Sequence, residues 1–149
     1  MVSLLAKTVG QEIVNLGVSG DTTRDGLARL DELDVYDPKV VILLLGGNDA
    51  VRNIPIAETK ANLSAIISDL HARGSVVLLL GVRGGLLGSG GFNSMYKELQ
   101  REHDTAFVPD VLRGIFGRRN LMSDPIHPND EGYAKMSNRV TPVLESVLE

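Results

Sequence analysis

The stretch that most limits how this chain can fold is Val40-Val41-Ile42-Leu43-Leu44-Leu45, followed at once by Gly46-Gly47-Asn48-Asp49. Six apolar residues in a row, β-branched types first, read as a strand buried on both faces of a sheet. Two glycines then let the chain leave the sheet through dihedrals that other residues avoid, and Asn48 and Asp49 emerge at the strand's carboxyl end. In open α/β sheets that end is where ligands bind. The same four residues are also ordinary turn chemistry, so the stretch separates a site from a bare turn only in company with the rest of the chain.

The flanking pattern alternates. Val2, Leu4, Leu5 and Val9 predict a short helix ended by Gly10, and Glu12 to Leu16 reads as a strand. That strand leads into Gly17-Val18-Ser19-Gly20-Asp21-Thr22-Thr23. Thr22 with Asp25 makes a capping-box pattern, and Leu27, Leu30 and Leu33 give the helix behind it an apolar stripe. Tyr36-Asp37-Pro38 breaks that helix ahead of the strand 40–45. A helix from about Ala57 to Arg73 presents Leu63, Ile66, Ile67 and Leu70 on one face and stops at Gly74. Ser75 to Leu80 is a second fully buried strand, Phe92 to Glu102 a helix, and Thr105 to Val108 a short strand. Tyr133, Met136, Val140, Val143, Leu144 and Val147 mark a C-terminal helix, bent at Pro142.

Strands alternating with amphipathic helices predict an α/β domain whose parallel sheet is covered on both faces. Such domains open with a strand, whereas this chain opens with a helix. In a flavodoxin-like order, 2-1-3-4-5, a first strand lies between Glu12–Leu16 and Val40–Leu45. Without it those two stand two spacings, roughly 10 Å, apart. Either they pair directly, or another segment or subunit fills the slot, or the sequence is a fragment.

Composition removes several classes of function. The 149 residues suffice for one domain with one substantial core. Net charge is −4 and the longest basic run is Arg118-Arg119, which argues against nucleic acid as a partner. No apolar run reaches membrane-spanning length, and no export signal is visible. Cysteine is absent, so thiol catalysis, disulfides and cysteine-ligated zinc are excluded. Histidine chemistry has three candidates, His71, His103 and His127, of which the first two fall on surface faces of predicted helices.

His127 is the informative one. It lies in Ser123-Asp124-Pro125-Ile126-His127-Pro128-Asn129, between prolines and just ahead of a helix whose first turn carries Asp130 and Glu131. An aspartate three residues before a histidine in a stiff turn can accept the imidazole Nδ1–H, which leaves Nε2 outward as a general base. The alternative is a loop in which Asp124 caps a turn and His127 is simply solvated. A metal site from Asp124, His127 and Asp49 or Asp21 is disfavoured, because no histidine pair or carboxylate cluster at helical spacing accompanies them. The glycine-rich run 82–91 carries neither a Gly-Lys-Ser/Thr sequence nor a dinucleotide fingerprint, so it is not read as a phosphate loop. It is either a plain surface loop or, through Leu86 and Leu87, part of an apolar ligand pocket. Arg113, Arg118 and Arg119 read as a solvated rim.

Together these segments resemble the SGNH hydrolases, the GDSL-type lipase and esterase superfamily, in its arylesterase and lysophospholipase/thioesterase-like branch. Asn15-Leu16-Gly17-Val18-Ser19-Gly20-Asp21-Thr22-Thr23, continued by Gly26-Leu27-Ala28-Arg29-Leu30, is similar to that family's second block. Gly46-Gly47-Asn48-Asp49 is similar to the third, and Asp124-Pro125-Ile126-His127-Pro128 to the fifth. The resemblance implies the three-layer α/β/α SGNH fold and a Ser-His-Asp ester hydrolase acting on short- or medium-chain carboxylic esters or thioesters, without metal or organic cofactor. It implies His127 as general base and then acid, and Asp124 as its orienting partner. The Gly20 backbone N–H and the Asn48 amide would be oxyanion donors, each worth about 3 kcal/mol in the transition state.

One departure matters. The family's first block, Gly-Asp-Ser on the first strand of the sheet, does not occur in this sequence. On the resemblance, residues 1–149 are a single domain cut short at its N-terminus, lacking the first strand and the nucleophile. Ser3 lies on the helix that follows the block and is no substitute, while Ser19, Ser89, Ser94 and Ser123 are candidates for a surrogate. A second reading follows: a catalytically silent SGNH-fold protein that binds acyl or glycan ligands or serves in an assembly. The open sheet slot further suggests a homo-oligomer or strand exchange.

Overall fold

In a computed structural model, residues 1–82 and 91–149 are described. The central element is β2, Val76–Leu80, flanked by β1, Val40–Leu43, and β3, Ala106–Val108, in one parallel sheet of order β1-β2-β3. Val40 stands opposite Val76 and Leu43 opposite Leu79, while Leu78 pairs with Ala106 and Leu80 with Val108. Successive side chains on a strand point to opposite faces. Val77 and Leu79 therefore enter one core, and Leu78 and Leu80 enter the other. All four are completely buried, which is why the segment is apolar without alternation.

The first core is closed by α4, Ile56–Ala72, and α5, Gly91–His103. Leu63, Ile66, Ile67 and Leu70 of α4 meet Phe92, Met95, Tyr96 and Leu99 of α5 over β1 and β2. The second is closed by α1, Val2–Val9, and α6, Asp130–Leu148, through Leu5, Met136, Val140 and Leu144. Helices on both faces of a parallel sheet make three layers, as the alternating pattern predicts. Each fully buried leucine or isoleucine contributes roughly 1.5–3 kcal/mol relative to exposure. Asn129 starts α6 by accepting the Gly132 N–H at 3.0 Å, and the helix continues through Pro142. Thr22 caps α2, Thr23–Ala28, in a reciprocal box with Asp25, and a 3-10 turn over Leu30–Leu33 follows.

Two expectations need correction. Glu12 to Leu16 is not a strand: the residues run as irregular chain, with Val14 exposed and only Ile13 packed on the second core. Strand geometry is held by ladder partners, and among the described residues none pairs with this segment. The apolar run 40–45 is not buried on both faces either. Strand β1 ends at Leu43, and Val40, Val41 and Ile42 are half-buried, because among the described residues β1 has a neighbouring strand on one side only.

No helix among the described residues is long and apolar enough to cross a membrane. All three strands run in the same direction, so their carboxyl ends share one edge. From that edge leave the β1 connection bearing Asn48 and the long β3–α6 connection bearing Asp124 and His127.

Candidate active site

Strand β1 delivers the chain to Gly46, which adopts φ 108° and starts α3, Gly47–Val51. Tyr96 of α5, wholly buried, donates its O–H to the Leu45 carbonyl at 2.6 Å. Burial, reinforced by the nearby Asp49 charge, pushes this phenol well above its usual range, so it remains a donor. A side chain at position 46 would collide with the Tyr96 hydroxyl, and the left-handed φ disfavours one in any case.

Helix α3 and the turn before α2 are stitched together. The Asn48 Nδ2 donates to the Asp21 carbonyl at 2.8 Å. Asp49, with no exposed surface, accepts the Thr23 N–H at 2.9 Å, the Thr23 hydroxyl at 2.5 Å and the Thr59 hydroxyl at 3.2 Å. Arg52 Nη2 donates to the Gly20 carbonyl at 2.8 Å. Arg29 holds the same turn from the other side, donating to the Asp21 carboxylate at 2.9 Å and to the Leu16 carbonyl at 2.7 Å. Gly20 itself sits at φ 90°, a conformation that favours glycine. Gly20 and Asn48 are thereby brought together. Among the described residues the Gly20 N–H has no acceptor, and one of the two Asn48 amide hydrogens is uncommitted.

The second group is Asp124 with His127. The His127 Nδ1 lies 2.6 Å from Asp124 Oδ2, and Asp124 Oδ1 accepts the backbone N–H groups of Ile126 and His127, each at 2.8 Å. The Ile126 N–H, then the imidazole, hold the Asp124 carboxyl below the usual carboxylate range. The loop is closed by Ser123 N–H donating to the His127 carbonyl at 2.8 Å and by a bridge between Met122 and Pro128. Both side chains are about half exposed, 50% for His127 and 46% for Asp124. No hydrogen bond links this pair to Gly20 or Asn48 among the described residues.

Other sequence candidates fall elsewhere. Leu86, Leu87 and Ser89 lie outside the described residues. Ser19 and Ser94 are exposed, and the Ser123 hydroxyl donates to the Pro128 carbonyl at 3.3 Å rather than to an imidazole. Arg113, Arg118 and Arg119 are exposed as a rim would be. His71 is exposed, but His103 is not: its Nε2 lies 2.8 Å from the Ser64 hydroxyl in the α4–α5 contact. Among the described residues no cluster of three or more acidic or histidine side chains is placed to hold a metal ion. A cavity of about 290 Å³ between α5 and the start of the β3–α6 connection is lined by Asn93, Lys97, Pro109, Asp110 and Arg113, and by none of the four residues above. Thr23, Thr59, Tyr96 and Arg52 have no role assigned from the sequence, and Asp49 enters there only as a disfavoured metal ligand. Apart from Thr59, ten residues from Asp49, the partners that hold them lie 26 or more residues away, and the sequence points only to the segments around Thr22-Thr23 and Asn48-Asp49.

A three-layer sandwich with polar loops gathered at the carboxyl edge of its sheet is the SGNH hydrolase architecture. It aligns with the crystal structure of TesA at a TM-score of 0.92 and 33% identity, over 98% of this chain and 87% of that one. The chain belongs to the GDSL-like lipase/acylhydrolase family, whose profile matches residues 1–135. It is 34% identical over 158 residues to the Esterase TesA of Pseudomonas aeruginosa, an alignment spanning 99% of this chain and 79% of that protein. To the Thioesterase 1/protease 1/lysophospholipase L1 of Escherichia coli strain K12 it is 33% identical over 142 residues, 91% of this chain and 68% of that protein.

Proposed function

We propose that this protein is a carboxylic ester or thioester hydrolase in which Asp124 and His127 supply the base and Gly20 and Asn48 bind the oxyanion. The observation that carries this reading is the Asp124–His127 pair. One carboxylate fixes both the imidazole and its backbone, leaving Nε2 with no protein partner among the described residues. Relatives carrying the names esterase and thioesterase support the reaction class.

In the chemistry proposed, Nε2 takes the proton of a serine hydroxyl as its oxygen adds to the ester or thioester carbonyl. The carbonyl oxygen becomes an oxyanion facing the Gly20 N–H and the free Asn48 N–H, neutral donors that create no competing ion pair. Collapse breaks the bond to the leaving oxygen or sulfur, which receives the proton from Nε2. Water then repeats the sequence on the acyl-enzyme, releasing the acid and restoring the serine. Asp124 stabilises the imidazolium in both halves.

The serine is the term of this mechanism with no assigned residue, since no Gly-Asp-Ser triplet occurs in the sequence. A second reading, a ligand-binding protein of the same fold, is favoured by one observation: among the described residues no serine hydroxyl is hydrogen-bonded to His127. Turnover of p-nitrophenyl acetate and butyrate, with labelling by a serine-reactive phosphonate and mapping of the adduct, separates the two. Turnover abolished in His127→Ala, with a single labelled serine, supports the hydrolase. Absence of both turnover and labelling supports the binding protein.

A further inference from the structure

We infer that Asp49 is the positioning residue of the proposed oxyanion site: its buried carboxylate, shared between Thr23 and Thr59, sets the direction of the Asn48 amide. This rests on the reading of Asn48 as an oxyanion donor. Helix α3 has five residues, too few to hold its own geometry in water, so tertiary contacts decide where its side chains point. Besides Arg52 just past its end, two neighbouring residues of the helix join it to the start of α2 and the turn before it. Asn48 reaches the Asp21 carbonyl, and Asp49 reaches the N–H and hydroxyl of Thr23, two residues on.

The two links are not equal. Asn48 is half-buried, so water can replace its bond to Asp21. Asp49 is wholly buried and accepts from three donors, none of which water can serve without opening the structure. Asn62 ties the Thr23 hydroxyl to α4 as well, donating at 3.1 Å. Asp49 thus locks the start of α2, α3 and α4 into one register, and Asn48 inherits its aim from the neighbour beside it. Three donors converge on the two carboxylate oxygens, and an amide there would turn its hydrogens toward a donor.

The test uses Asp49→Asn and Thr59→Val in the full chain, read by the side-chain amide signals of Asn48 and Asn129 in ¹⁵N-correlated NMR. Asn129, whose Nδ2 donates to the Asn120 carbonyl at 2.9 Å, is the internal control. In Asp49→Asn the Asn48 amide protons are expected to shift and to exchange with water at least tenfold faster, with Asn129 unchanged. Thr59→Val should move Asn48 the same way by less, and Thr59→Ser should restore it. Unmoved Asn48 signals in folded Asp49→Asn, or equal changes at Asn48 and Asn129, overturn the inference. If Asp49→Asn does not fold, the Thr59 pair decides by the same criterion. Where p-nitrophenyl ester turnover is measurable, kcat should fall at least tenfold with KM within twofold; an unchanged kcat also overturns it. The NMR response in the variants, together with wild-type protein that shows no turnover, removes the esterase reading and leaves the positioning of Asn48 by Asp49 standing.

Discussion

His127 and Asp124 are joined twice over: the carboxylate meets the imidazole Nδ1 at 2.6 Å and the His127 backbone N–H at 2.8 Å. A single side chain therefore fixes both where the ring sits and which nitrogen faces away from the loop. The surrounding Pro125 and Pro128 restrict the backbone further.

Asp124→Asn should separate the two roles of that carboxylate. The folded protein holds the Asp124 carboxyl below its ordinary value of 3.8, so its bonds stabilise the fold above that pH and are lost as pH falls through the lower, folded value. Thermal melting followed from neutral pH into this acidic window should show a shallower decline in Asp124→Asn than in wild type. Any esterase turnover should drop by about 10³–10⁴ fold, because an amide presents the wrong group to Nδ1.

Gly46→Ala is expected to destabilise by at least about 1–2 kcal/mol, the cost of the left-handed backbone for a residue with a Cβ. Tyr96→Phe leaves the Leu45 carbonyl without its donor, at about 1–3 kcal/mol. The new methyl and the hydroxyl compete for the same space. The double variant should therefore be less destabilised than the sum of the singles, by about 0.5–3 kcal/mol in a urea-denaturation cycle.

Thr22→Ala removes one half of the capping box at α2 and should cost about 1 kcal/mol in chemical denaturation. Thr22→Ser should recover most of it, since the hydroxyl rather than the methyl makes the bond to the Asp25 N–H.

Arg52→Ala tests the exposed link to Gly20. With its side chain on the surface, stability should stay within about 0.5 kcal/mol. Esterase turnover, measured on p-nitrophenyl butyrate, should nevertheless fall, because the Gly20 carbonyl is released to water and the neighbouring N–H loses its set direction.

How much of this was legible beforehand follows from range. The α4 face of Leu63, Ile66, Ile67 and Leu70, the Thr22–Asp25 box and the Asp124–His127 pair depend on residues within about two helical turns of each other, and each is found as the spacing predicts. Glu12 to Leu16 has strand-like composition, but a strand is made by its neighbour, and sequence pattern carries no information about whether one is present. The half-burial of Val40 to Ile42 has the same cause. Asp49 reads as a turn residue in the sequence and is the most buried carboxylate of the site, because Thr23, 26 residues back, and Thr59, on the next helix, converge on it.

A sheet whose strands all point one way gives the molecule a working end and a supporting end. At the supporting end, the tight turn at Gly74 between α4 and β2 only has to return the chain to the sheet. At the working end, the connections after β1 and β3 carry the side chains of the proposed site, and Val111, Ile115 and Leu121 anchor the longer one in the second core. Substitutions at the exposed positions of 109–123 would thus leave the sheet in place, while Leu78, Leu79 and their partners keep the scaffold standing.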